Sequence, residues 1–199
     1  KLELNPREWG IDLFSGSAHK FHGPRGAGIL YCRKGLRLKP LLTGGGQEMG
    51  LRSGTEPLPL ITGMAKALRL SVERREADEA KVARLRRRLT AALARMDGVV
   101  PTLPDDSWSV PHIVHFCVPG IRSEVLVHML EERDIFVSTQ SACSSGDNKP
   151  SRVLAAMGLP ETMTISGVRV SLSAEHTEDD IDVLAEAIED AVARLVRNK

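Results

Sequence analysis

The chain has 199 residues, 42% apolar and 27% charged, with 27 Lys and Arg against 26 Asp and Glu. Such a composition belongs to an ordinary globular protein long enough to bury a core, and a net charge of +1 excludes a bulk field that would steer it to nucleic acid or a membrane surface. No apolar run reaches the roughly 20 residues that span a bilayer, and the wide spacing of Cys32, Cys117 and Cys143 argues against a disulfide framework or zinc site and for a reducing, cytoplasmic setting.

Two apolar runs, Ile11 to Phe14 and Ile29 to Tyr31, flank small and turn-forming residues, and together they predict strand, turn, strand over 11–33. Residues 34–56 read as loop, with Gly44-Gly45-Gly46 followed by Arg52-Ser53-Gly54-Thr55. A helix begins after Pro57 or Pro59, with Ile61, Met64, Ala65, Leu68 and Val72 at helical spacing. The charge-rich stretch from Glu73 to Arg88 continues that helix or starts another. Val82, Leu85, Leu89, Ala92 and Met96 form its apolar stripe, and Arg84, Arg86, Arg87 and Arg88 mostly face away. Interleaved acidic residues make this basic run a solvated helix face rather than a nucleic-acid site. Gly98 marks the stop.

Short alternating elements follow. Val110 to Val118 reads as a strand, Ser123 caps a helix to about Glu132, and Ile135 to Val137 is a brief strand before a polar loop from Ser138 to Pro150. Ser151 caps a short helix that ends at Gly158, and Val168 to Leu172 is a strand. Thr177 with Asp180 opens the last helix, whose apolar face is Ile181, Leu184, Ile188, Val192 and Leu195. The chain divides near residue 97, into 1–97 and a compact α+β unit over 98–199.

Lys20 lies in the first turn. It is either a solvated surface residue or an amine that reaches an aldehyde and forms a Schiff base, its pKa lowered by desolvation. Ser17 and His19 beside it suit an anion such as phosphate. Cys143, in Ser141-Ala142-Cys143-Ser144-Ser145-Gly146, has few apolar neighbours in sequence, so it is either a reactive loop thiol or an incidental one. Arg169, mid-strand between valines, must face solvent or be paired. Thr55 is a turn residue whose hydroxyl can donate to phosphate. Cys32 and Cys117 read as small core residues. His19 and His22 without a third ligand make no metal site.

Ser17-Ala18-His19-Lys20, followed by Gly23-Pro24-Arg25-Gly26-Ala27-Gly28, resembles the pyridoxal-phosphate lysine segment of the cysteine desulfurases, fold-type I enzymes close to the class V aminotransferases. Gly44 to Thr55, Ser141 to Gly146 and Val168 to Leu172 agree with that family in order and spacing. Two departures stand out. Members carry about as much chain again before the lysine, so Lys1-Leu2-Glu3-Leu4, which has no initiator Met, reads as a cut end. Gln140 stands where many members have glycine.

The resemblance implies the trailing part of a fold-type I large domain with a long connecting helix, then a small α+β carboxy-terminal domain. It implies pyridoxal 5′-phosphate held on Lys20, with Ser17 and His19 on the phosphate and Thr55 completing that site across a homodimer. Arg169 grips the α-carboxylate of L-cysteine, and Arg52 is counted with it. Cys143 takes the sulfur as a persulfide, leaving L-alanine, and passes it to an iron–sulfur scaffold or another acceptor protein. No resident metal is implied, only a transient iron–sulfur contact at Cys143. The fragment alone is expected to be inactive. The rival readings are a selenocysteine lyase or class V aminotransferase, which does not need Cys143, and a non-catalytic fragment that only dimerises or docks partners.

Overall fold

The computed structural model describes residues 3–103, 109–139 and 150–197. The chain forms two compact units, Lys1–Glu76 and Ala77–Lys199.

In the first unit, β1 (Leu13–Ser17) and β2 (Gly28–Cys32) pair antiparallel, with Leu13 opposite Cys32 and Ser17 opposite Gly28. A 3-10 turn, Ala18–Phe21, follows β1 directly. The strand–turn–strand expectation for this stretch holds. Helix α1 (Leu58–Leu93) starts at the two prolines, which its first turn tolerates because the N–H groups there have no intrahelical partner. It runs unbroken through the charge-rich stretch. Of the apolar residues described in this unit, only Ala18 and Met64 are buried.

The second half of α1 belongs to the second unit, together with β3 (Val100–Pro101), β4 (Ile113–Cys117), α2 (Ser123–Glu131), α3 (Arg152–Ala156), α4 (Glu161–Thr164), β5 (Gly167–Ser171) and α5 (Glu178–Arg197). The strands form an antiparallel sheet in the order β3-β4-β5. Strand alternation sends Val114, Phe116, Val168 and Val170 to one face. They share a core with Val82, Leu85, Leu89 and Leu93 of α1, Leu126 and Leu130 of α2, and Ile181, Leu184, Ile188 and Val192 of α5. That stripe is what counts the second half of α1, from Ala77 onward, with the second compact unit. The start of α5 is fixed reciprocally. The Asp180 N–H donates to Thr177 Oγ1 at 3.2 Å, while Asp180 Oδ2 accepts from the Thr177 N–H at 2.7 Å and hydroxyl at 2.8 Å.

Four local expectations change. Arg86 does not face away: it is 7% exposed, and its guanidinium donates to the carbonyls of Val110 and Ile113, where β4 begins. Arg84, Arg87 and Arg88 are exposed as expected, Arg88 bonding Asp182. Ser123 is the first residue of α2 rather than its cap, and its hydroxyl donates to Ile165 O at 3.3 Å. Ile135–Val137 forms no strand, because the pairing is a single bridge between Ser138 and Arg169. β4 is shorter than 110–118, since Pro111 cannot donate to a ladder.

Arg86→Ala should destabilise the second unit by about 1–3 kcal/mol, because both carbonyls lose a charged donor inside a packed region. Urea unfolding checks this, and the neighbouring Arg87→Ala should stay within about 0.5 kcal/mol of the parent.

Candidate active site

The chain turns sharply at Ser17. Ser17 is extended (φ −108°, ψ 128°), the 3-10 turn follows, and His22 ends it in the left-handed region at φ 65°. The Ala18 N–H donates to Ala27 O at 3.0 Å, and the Gly23 N–H donates to Ala18 O at 2.9 Å. Ala18 is completely buried. The turn is so close that a Cβ at Gly23 would lie 2.9 Å from Ala18 Cβ, and one at Gly28 would lie 2.8 Å from Gly16 O. α1 stands behind it. The Ser71 hydroxyl donates to Phe21 O at 3.3 Å, and a Cβ at Gly63 would meet Pro24 Cγ at 3.3 Å. This support leaves Ser17, His19 and Lys20 exposed on one turn. Lys20 is thus held on a fixed turn with its side chain exposed within this unit.

Thr55 and Arg52 lie on the second loop of this unit, which is tied rather than loose. Leu42 and Arg52 form a bridge, the Ser53 hydroxyl donates to Thr43 O at 3.1 Å, and the Gly54 N–H donates to Gln47 Oε1 at 3.3 Å. Arg52 Nη1 donates to Ser53 O at 3.0 Å, folded back where a Cβ on Gly54 would lie 2.6 Å from it. Arg52 thus holds its own loop, and Thr55 is exposed beside it.

In the second unit, Arg169 of β5 is half-buried on the face opposite the apolar core. It is not a plain outward-facing residue: its Nε is buried and has no hydrogen-bond partner among the described residues. His115 stands directly opposite it on β4. His115 Nδ1 lies 2.5 Å from Thr102 Oγ1. Burial, and then the Arg169 charge, lower the imidazole from its ordinary 6.5 to about 4. Cys117, two residues along the same face, is fully buried, its Sγ 3.4 Å from Met163 O, and burial raises its thiol. Like half-buried Cys32, it carries no assigned role. Cys143 and Gln140 lie outside the described residues. Among those described, no three His, Cys, Asp or Glu side chains cluster as a metal site.

Sequence reasoning missed Gly63, Ser71, Thr102 and His115. A glycine inside a helix was the available signal for Gly63, because it costs the helix and so marks a close approach. A histidine between Val114 and Phe116 was the signal for His115.

His115 also makes stability depend on pH. Its folded pKa is depressed, so between pH 6.5 and about 4 the unfolded chain takes up a proton that the folded chain refuses. Stability should fall as pH falls through that window, by up to ~3 kcal/mol, and level off below it. Urea midpoints at pH 7, 5.5 and 4.5 measure the slope. His115→Gln should flatten it relative to the parent.

Residues 1–184 match the model of the aminotransferase class-V family. A NifS/IcsS protein homologue of Lactobacillus delbrueckii subsp. bulgaricus is 43% identical over 182 residues, covering 90% of this chain and 47% of the relative. A cysteine desulfurase of Bradyrhizobium diazoefficiens is 40% identical over 195 residues, covering 98% and 49% respectively. A solved NifS-like protein superposes with a TM-score of 0.85 at 35% identity, covering 97% of this chain and 49% of that one. The chain spans about half the length of the curated relatives it matches. With the family model matching residues 1–184 and a superposition of this quality, the chain belongs to the class-V aminotransferase family, whose architecture is fold-type I.

Proposed function

We propose that the chain is the carboxy-terminal part of a pyridoxal 5′-phosphate-dependent cysteine desulfurase, a cytoplasmic homodimer that takes sulfur from L-cysteine and hands it to an iron–sulfur scaffold or another acceptor protein. Residues 1–97 are its trailing cofactor-domain piece and 98–199 its small domain. The observation that carries this reading is the lysine turn. An amine, a hydroxyl and an imidazole stand exposed on a turn that glycine contacts make rigid, a donor set that fits an aldehyde bearing a phosphate. The names of the relatives support the sulfur chemistry.

The cofactor, when bound, supplies an electron sink. Lys20 holds it and exchanges a proton at the substrate Cα, Ser17 and His19 donate to its phosphate, and Thr55 reaches the phosphate in the partner subunit. Arg169 receives the substrate α-carboxylate. A buried Nε–H without an acceptor costs free energy, and a carboxylate approaching the side of the guanidinium fork satisfies it. Arg52, which bonds its own loop through one Nη, stands beside Thr55 and is counted with Arg169 on the substrate side. The Cys143 thiolate attacks the cysteine sulfur. An S–S bond forms, the C–S bond breaks, its electron pair stays on Cβ, and Cβ takes a proton to give L-alanine. Among the described residues no helix is long and apolar enough to cross a membrane.

In the full-length protein, borohydride reduction followed by peptide mapping should place the cofactor on Lys20, and a label on another residue refutes the assignment. Cys143→Ser should cut persulfide and alanine formation more than about a hundredfold, because an unactivated hydroxyl is a poor nucleophile. Near-parental turnover would instead favour a lyase or aminotransferase. Arg169→Ala should raise the KM for cysteine by about 10- to 100-fold, the loss of a charge-assisted pair.

A further inference from the structure

β4 and β5 place His115 and Arg169 directly opposite each other. The backbone groups of both turn away from the shared edge. The Thr102 N–H donates to His115 O at 3.1 Å, while Arg169 exchanges both of its bonds with Ser138, at 2.7 and 3.1 Å. His115 and Arg169 are therefore a non-hydrogen-bonded pair, the antiparallel geometry with the closest side chains. Both point away from the apolar core, since Val114, Phe116, Val168 and Val170 take the other face.

The ring is fixed at two places. Thr102 Oγ1 holds Nδ1, and the rest of the imidazole lies over Gly167, where a Cβ would come within 2.8 Å of Cε1 and 3.0 Å of Nε2. The Arg169 Nε has no such anchor among the described residues. With Nε unbonded, packing along the stem contributes to the direction of the guanidinium. The directly opposite side chain on that face is His115. A second cation there would repel the guanidinium, whereas a neutral imidazole supplies a polar, rigid wall without competing for the carboxylate.

We propose that His115, fixed by Thr102 and accommodated by Gly167, is a positioning residue that aims Arg169 at the substrate carboxylate. The inference rests on the reading of Arg169 given above.

The test uses the full-length protein loaded with cofactor. Calorimetry measures equilibrium affinity for L-alanine, which carries the α-carboxylate, and for ethylamine, which lacks it. His115→Ala should weaken L-alanine binding about tenfold, the size expected for coupled neighbours, and leave ethylamine unchanged. The loss for cysteine should fall on KM far more than on kcat. His115→Gln, neutral and able to bond Thr102, should recover most of the affinity. Thr102→Val should give a weaker form of the same defect, and it serves as the second variant if His115→Ala shifts the near-ultraviolet circular dichroism. In an Arg169→Ala background, His115→Ala should add nothing. Equal losses for both ligands, no rescue by glutamine, or full additivity with Arg169→Ala would overturn the proposal. If Arg169→Ala itself leaves L-alanine affinity intact, the carboxylate reading of Arg169 fails instead, and the two failures are told apart.

Discussion

Val82, Leu85, Leu89 and Leu93 recur at helical spacing along α1, and their burial with Val114, Phe116, Val168 and Val170 takes the largest apolar surface of the second unit out of water. A strand has two faces with a period of two. Once those three valines and one phenylalanine face the core, His115, Cys117, Gly167 and Arg169 have the opposite face by necessity. A slip of one residue in register would exchange the two sets and put a guanidinium among leucines. The polar face thus inherits its accuracy from the apolar one.

The first unit is ordered by different means. With only Ala18 and Met64 buried among its described apolar residues, packing cannot be what defines the lysine turn. Backbone bonds from Ala18 and Gly23, and close approaches that exclude a Cβ at Gly23 and Gly28, fix it instead. Such a turn holds its shape by sterics and hydrogen bonds, both local. The Gly44–Gly46 loop follows the same logic, since bonds at Thr43, Gln47 and Leu42 tie down a stretch that reads from sequence only as loop.

What the sequence made legible follows from which signals are local. The hairpin around Lys20, the continuous stripe of α1, the reciprocal cap of Thr177 and Asp180 and the apolar face of α5 all rest on spacing within a few residues. Arg86 was misread because its neighbours in sequence are charged, while its partners, the carbonyls of Val110 and Ile113, come from a distant segment. The same holds for the site. Lys20, Ser17 and His19 share one turn and were visible together. Thr102 and His115 are 13 positions apart, and only sheet register makes them neighbours.

The missing side chain at residue 167 sets a volume relation between two strands. The space that an ordinary residue would fill there is occupied by the imidazole edge of position 115, with Leu154 closing the third side at 3.0 Å. Positions 115 and 167 therefore behave as one filled volume drawn from two places in the chain. A homologous sequence with alanine or serine at the second must carry something smaller than histidine at the first, and the pair should drift together as such sequences diverge.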